Sequence, residues 1–258
     1  MGRTLIHAFS SSESDLKIVA CNRSPQKLDQ IINDYPSVQA AASPVEVAQR
    51  ADVVFLCVKP GDAGSVVESI APYMCADQFL ISIISSLTIH ELESMVSAQV
   101  IKVIPSITQE ARAGVALVIP SRAIQQPQLD VVLNLLSHIC TPQLIQEQDI
   151  RICADLTSCG PAFLAFLLRE ISQSAARQGD ISIEFAEDLV KSMLVGTAKL
   201  IAEANFSLDD IIERVSVPGG VTAAGIDTLR PAVAGIFDHL FATTRAKGAA
   251  HQVDRVSR

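Results

Sequence analysis

Around residue 149 the periodicity of this 258-residue chain changes, and the change predicts two domains of different class. Before it, short apolar runs at 16–21, 38–41, 52–58, 79–84, 100–104 and 115–119 alternate with stretches at 25–34, 44–50, 65–73 and 89–96 that have apolar residues at helical spacing. Such alternation is the pattern of a parallel sheet wrapped by helices, and runs this apolar on both faces belong inside it. Pro25 and Pro44 each follow a serine, an arrangement in which the serine caps and the proline opens a helix. After Gln148 only helical stretches follow, at 161–178, 182–205, 208–215 and 231–247, interrupted at Pro218-Gly219-Gly220. The expected architecture is α/β, a Rossmann-type doubly wound parallel sheet over 1–149, then an all-helical domain over 150–258 with a flexible tail from about residue 246.

The stretch 182–205 is apolar around much of its circumference, with Phe185, Leu189, Met193, Leu194 and Leu200 spread over several faces. A helix of that kind is buried on more than one side. Either it crosses the middle of the helical domain or a partner subunit covers it. Its apolar surface exceeds what a domain of about 110 residues easily buries, which predicts a homodimer built on the second domain.

Charge and composition narrow the partners. Twenty basic residues against 28 acidic ones leave a net charge of −8, which disfavours nucleic acid and anionic membranes. The basic cluster Arg245, Lys247, Arg255 and Arg258 reads as a solvated C-terminus. No stretch approaches the ~18 uninterrupted apolar residues of a membrane span. The opening residues contain Arg3 and His7 with no secretory signal, so the expected location is the cytoplasm. Six cysteines without a CxxC pair, mostly within apolar runs, and five histidines without ligand spacing predict neither a disulfide framework nor a metal site.

A dinucleotide fold normally opens with an apolar strand, then G-x-G-x-x-G, then a helix facing the pyrophosphate. This sequence instead opens on an amphipathic helical stretch, and the run at 16–21 reads as the second strand of such a unit. Placing Gly2 as the third glycine puts the first strand and two glycines upstream of Met1. That strand would lie in the sheet centre, between 16–21 and 52–58, and the chain without it is expected to bind its cofactor weakly. Twenty residues past Gly2 stands Asn22-Arg23-Ser24, where NAD enzymes carry an acid that accepts from the ribose hydroxyls. An arginine flanked by Asn and Ser offers charge and donors to a 2′-phosphate, so the implied cofactor is NADPH. A polar strand-to-helix turn with Ser24 as N-cap reads from the same residues and is compatible with that role.

At Cys57-Val58-Lys59-Pro60, Ser82-Ile83-Ile84-Ser85-Ser86, Gly160-Pro161-Ala162 and Pro218-Gly219-Gly220-Val221-Thr222 the chain resembles the pyrroline-5-carboxylate reductase family, in the same order over nearly its whole length. The resemblance implies an NADPH-dependent reductase of a small cyclic imino acid, with 1–149 as NADP-binding domain and 150–258 as substrate and dimerisation domain. Gly2, Asn22, Arg23, Ser24, Val58, Lys59 and Pro60 would bind the cofactor. Gly160, with Cys159 and Pro161, would present backbone donors to the substrate carboxylate at a helix N-terminus. Gly219 and Gly220 would allow close backbone approach, and Thr222 would donate to the ring nitrogen.

The sequence departs from the family at three places. Cys159 stands in the family's Ser-Gly-Ser-Gly-Pro-Ala turn, Val217 replaces the serine before Pro-Gly-Gly, and Pro105-Ser106-Ile107-Thr108 replaces Pro-Asn-Thr-Pro. These departures are more similar to the late-competence (ComER-like) branch, and they open a second reading: a catalytically impaired reductase fold serving as a binding or regulatory protein. Cys159 reads as a small substitute for serine, or as a nucleophile lowered in pKa by a helix terminus. Asp155 reads as an orienting acid or as an exposed loop acid.

Overall fold

The computed structural model describes residues 1–12, 15–85 and 87–256, with side chains through Ala249. It comprises two compact units, Met1–Gly160 together with the stretch from Gly248, and Pro161–Lys247. The division falls at Gly160–Pro161, within the helical run Glu147–Gln178 that also spans the expected boundary at 149–150.

The first unit opens with α1 (Gly2–Ser10), whose Thr4, Leu5, Ala8 and Phe9 are buried at helical spacing. Strand β1 (Val19–Ala20), helix α2 (Pro25–Asp34), strand β2 (Gln39–Ala40) and helix α3 (Pro44–Arg50) follow. Both helices start at the proline that the sequence marked, and Ser43 caps α3 by accepting from the Glu46 N–H at 3.2 Å. Next come β3 (Val53–Leu56), α4 (Ala63–Ile70), β4 (Phe79–Ser82), α5 (Ile89–Glu93), β5 (Gln99–Ile104), β6 (Val115–Pro120), α6 (Gln126–Ser137), β7 (Thr141–Leu144) and α7 (Ile150–Ala154).

The strands form two sheets. β1 and β2 pair in parallel as a two-stranded sheet, and the second sheet has the order β3-β4-β5-β6-β7. The division lies between β1 and β3, where the sequence predicted a central strand. The run expected at 16–21 contributes only Val19 and Ala20, paired with β2 alone. β3, β4 and β5 are parallel, as expected of a Rossmann-type sheet. β6 turns antiparallel to β5, because a short connection with no crossover helix joins them. α6 supplies the crossover that makes β7 parallel to β6. Side chains alternate between the faces, so Leu80 and Val100 join one core with Leu56, Val67 and Leu92. Ile81 and Ile101 join another with Leu5, Phe9, Val132 and Leu136. Burial on both faces is why these strands read as unbroken apolar runs.

The second unit is built from helices: α8 (Gly160–Gln178) from Pro161 on, α9 (Ile183–Ala202), α10 (Leu208–Val215), α11 (Val221–Val233) and α12 (Ile236–Val256) as far as Lys247. One expectation needs correcting. The stretch after Pro218-Gly219-Gly220 is already helical from Val221, with Pro231 in the last turn of α11. The residues from about 246, set apart as a tail in the sequence, lie on α12 as far as Val256. On α9, Phe185, Leu189 and Met193 share one face at intervals of four and are each more than half exposed. The helical run Glu147–Gln178 is long and apolar enough, by length and composition, to cross a bilayer.

Candidate active site

Three turns meet where the parallel strands of the first unit end at their carboxyl termini, the place where open α/β sheets bind ligands. Gly2 lies in the first turn of α1, and an ideal Cβ built on it would stand 3.2 Å from Cβ of Cys57, the residue after β3. Packing against this apolar cluster removes the Cys57 thiol from water and pushes its pKa up to about 11, against a smaller opposing pull from the N-terminal ammonium. Three further contacts hold α1. Thr4 Oγ1 donates to Glu110 Oε1 at 2.9 Å, Arg3 pairs with Asp34 at 2.8 Å, and His7 Nδ1 lies 3.0 Å from the Tyr35 hydroxyl.

At the end of β1, Asn22 Oδ1 accepts from the Ser24 N–H at 2.9 Å and shapes the turn. Ser24 holds the N-cap position of α2, but its hydroxyl donates to Gln26 Oε1 and makes no cap bond. Arg23 reaches across to the third turn, where its Nη1 lies 3.3 Å from both carboxylate oxygens of Asp62. That turn is Val58-Lys59-Pro60, extended at Lys59 and tightening into a 3₁₀ turn over Pro60–Asp62. Gly2, Arg23 and the Val58-Lys59-Pro60 turn are thereby tied into one edge of the unit, through Cys57 and Asp62. Asp62 was not singled out in the sequence; an acid beside Lys59 is visible there but nothing marks its partner.

The segment expected to present substrate donors differs from expectation. α8 has no free start at Gly160. α7, a π-helical turn over Asp155–Cys159 and α8 form one continuous helix, so the free N–H groups predicted at a helix start are absent from this position. An ideal Cβ on Gly160 would lie 3.4 Å from the Asp155 carbonyl, an ordinary contact. Asp155 is 1% exposed, which removes the reading of an exposed loop acid. It accepts from Arg151 Nη2 at 2.5 Å, and the same nitrogen approaches Cys159 Sγ at 3.3 Å. Partial burial pulls the Arg151 guanidinium down, but Asp155 and Cys159 outweigh it and hold it above its ordinary value. These three residues stand at intervals of four, a helical spacing that the expectation of a turn concealed.

Hydroxyls stitch this π-turn to the loop after β5. Ser158 Oγ donates to the Pro105 carbonyl at 2.8 Å, Ser106 Oγ donates to the Thr157 carbonyl at 2.8 Å, and Thr157 Oγ1 donates to the Cys153 carbonyl at 2.9 Å. Gly114, at φ +78°, closes the same loop, and a Cβ there would collide with Thr108 Oγ1. Lys102, another residue that sequence reasoning missed, is 2% exposed on β5 and donates to the Ser85 carbonyl at 3.1 Å and to Glu147 Oε1 at 3.2 Å. It holds the loop after β4 in place; its one signal in sequence is a lysine inside the apolar run 100–104.

The remaining expected residues lie on the second unit. Gly219 takes φ +74°, which favours glycine, and Gly220 caps α11. A Cβ on Gly220 would stand 2.9 Å from Cγ2 of Val217 and 3.0 Å from the Val217 carbonyl oxygen, so this turn closes too tightly for a side chain. Thr222 is exposed in the first turn of α11. Ser86 of the serine-rich motif and Arg258 of the basic tail fall outside the described residues, as does the side chain of Arg255.

Comparison with known proteins adds a whole-length match. Residues 147–250 match the family described as pyrroline-5-carboxylate reductase dimerisation, and residues 1–86 match the one described as NADP oxidoreductase, coenzyme F420-dependent. ComE operon protein 4 of Bacillus subtilis is 34% identical over 249 residues, 96% of this chain and 91% of that protein. Pyrroline-5-carboxylate reductase 3 of the same organism is 31% identical over 248 residues, 96% of this chain and 90% of that protein. Among solved structures, a pyrroline-5-carboxylate reductase of Coxiella burnetii superposes with a TM-score of 0.84 at 24% identity, covering 98% of this chain and 94% of the other. A pyrroline carboxylate reductase of Plasmodium falciparum with NADP bound gives 0.79 at 22% identity, covering 98% and 93%.

Proposed function

The chain belongs to the pyrroline-5-carboxylate reductase family, and we propose that it reduces the C=N bond of a small cyclic imino acid, pyrroline-5-carboxylate, at the expense of NADPH. The observation that carries this reading is the gathering of Gly2, Arg23 and the Val58-Lys59-Pro60 turn at one sheet edge, in a chain matched over its whole length by this family. The bare Gly2 lets α1 approach the end of β3 as a dinucleotide fold requires, and Arg23 with Asn22 offers charge and hydrogen bonds to a 2′-phosphate. When bound, NADPH supplies the hydride. The protein orients the imine, excludes water, and leads a proton to the ring nitrogen. Thr222 gives that nitrogen a donor, relaying a proton from water because a hydroxyl of such high pKa is not itself a strong acid. Cys159, Gly160 and Pro161 border the substrate carboxylate, while Gly219 and Gly220 keep the backbone before Thr222 close-packed.

The protein works as a cytoplasmic homodimer joined through its second unit. The exposed stripe of Phe185, Leu189 and Met193 supports this, as does the match of residues 147–250 to the dimerisation family. The same match favours a partner copy over a bilayer as the cover for the apolar helices. NADPH oxidation assayed with pyrroline-5-carboxylate and related cyclic imines tests the proposal, and absence of turnover with every imine defeats it.

A second reading is a reductase fold that binds NADPH without turning over, linked to late competence. The absorption of the Gly160 turn into a continuous helix favours it, together with Val217 and Ser106 and the likeness to ComE operon protein 4. Calorimetric binding of NADPH without hydride transfer to any imine would select it.

A further inference from the structure

Pro161 has no N–H, so the Thr157 carbonyl four residues earlier is denied its α-helical partner. A residue 51 positions earlier in sequence replaces the missing donor: Ser106 Oγ reaches the Thr157 carbonyl at 2.8 Å. Ser106 is 1% exposed, and its oxygen accepts in turn from Thr108 Oγ1 at 3.0 Å and from the Thr108 N–H at 3.4 Å. The return bond, Ser158 Oγ to the Pro105 carbonyl at 2.8 Å, makes the link reciprocal. A π-turn is the weak point of a helix, since its ladder is broken locally and neighbouring groups must satisfy what it frees.

We propose that Ser106 is a positioning residue that fixes the Thr157–Gly160 turn against the carboxyl end of β5 and so sets the affinity for the substrate carboxylate. The inference rests on the reading of the Gly160 turn as a substrate contact. The role of Ser106 runs through the Thr157 carbonyl that its hydroxyl holds. Pro161 removes the i+4 donor of the Thr157 carbonyl, and the Ser106 hydroxyl supplies one from outside the helix.

The test is a set of four variants: Ser106→Ala, Ser106→Asn, Pro161→Ala and the Ser106→Ala/Pro161→Ala pair. Ser106→Ala should raise KM for the imine about 10-fold while KM for NADPH and kcat stay within about 2-fold, the effect of a part-buried carbonyl losing one donor. Ser106→Asn should keep KM within about 3-fold of the parent, because the donor is retained. In the Pro161→Ala background residue 161 regains an N–H for Thr157, so adding Ser106→Ala should change KM for the imine less than about 2-fold. Urea midpoints of the four corners should show the same non-additivity.

Additive effects in both kinetics and midpoints overturn the proposal. An equal rise of KM for NADPH also overturns it, because that indicates general loosening of the unit. If no imine is turned over, the functional reading fails while the urea cycle still decides the coupling. A Ser106→Ala protein that folds only together with Pro161→Ala supports the proposal, and one that is unfolded in both backgrounds defeats it.

Discussion

The 3.2 Å between an ideal Cβ on Gly2 and Cβ of Cys57 makes any side chain on the first turn of α1 a tight fit against the end of β3. Gly2→Val should therefore displace α1 from the edge where Arg23 and Lys59 lie. We expect NADPH to bind about 10-fold more weakly, in line with the cost of overpacking a close contact. Titration calorimetry measures it, and unchanged affinity would separate Gly2 from cofactor binding.

Cys57 itself should respond to alkali. Its thiol is held up to about 11 in the folded chain by burial, above its value in the unfolded chain. A raised pKa means the folded state keeps its proton longer, so the stabilisation is fully present below the unfolded pKa and declines as pH rises from about 8.5 towards 11. Thermal melts of the parent should fall across that window, and Cys57→Ala should flatten the fall. Alkylation at pH 8 should label the exposed Cys75 well before Cys57.

Asp62 holds the Arg23 guanidinium that a 2′-phosphate would need. Both side chains are solvated, so the pair is weak, yet its carboxylate would face an incoming dianion. Asp62→Asn should tighten NADPH binding about 3-fold to 30-fold and leave NADH nearly unaffected. Arg23→Ala should do the reverse. A preference ratio that does not move in Asp62→Asn would show that the pair is incidental.

Thr222→Ala tests the donor assigned to the ring nitrogen. If the hydroxyl orients that nitrogen, kcat/KM should drop ~10-fold to 1,000-fold with NADPH affinity intact. A change confined to thermal stability would leave Thr222 a helix-start residue of α11 and nothing more.

For the assembly, Leu189→Asp with Met193→Asp puts two charges on the exposed stripe of α9. Sedimentation should show the parent as a dimer at micromolar concentration and the double variant as a monomer. A parent that sediments as a monomer removes the proposed interface.

What the sequence reveals follows how local each determinant is. Pro25 and Pro44 carry their own instructions, and α2 and α3 begin where they stand. β7 escaped notice because it is an edge strand, largely exposed, with Pro142 inside it; proline weakens a strand pattern and is tolerated only at such edges. α11 was hidden by Gly225 and Pro231, both poor helix formers. Gly2 and Asn22-Arg23-Ser24 are proposed for the cofactor from spacing and Val58-Lys59-Pro60 from the family resemblance, whereas Asp62, Lys102 and the Ser106–Thr157 bond depend on partners 39, 45 and 51 positions away. The π-turn was invisible for a different reason. Its residues keep an apolar and polar rhythm that fits either a turn or a helix, and only the missing N–H of Pro161 hinted at a break.

Gly114 has a consequence for how this sequence can drift. A side chain there needs Thr108 to shrink or turn, since the two would overlap, and it must also tolerate φ +78°. Thr108 in turn donates to Ser106, and Ser106 to the Thr157 carbonyl. Replacement of the glycine is thus not one change but the first of a chain ending in the π-turn. Any descendant of this protein that loses Gly114 should carry a smaller residue than Thr at 108 and a new donor for Thr157, so the four positions are inherited together or exchanged together.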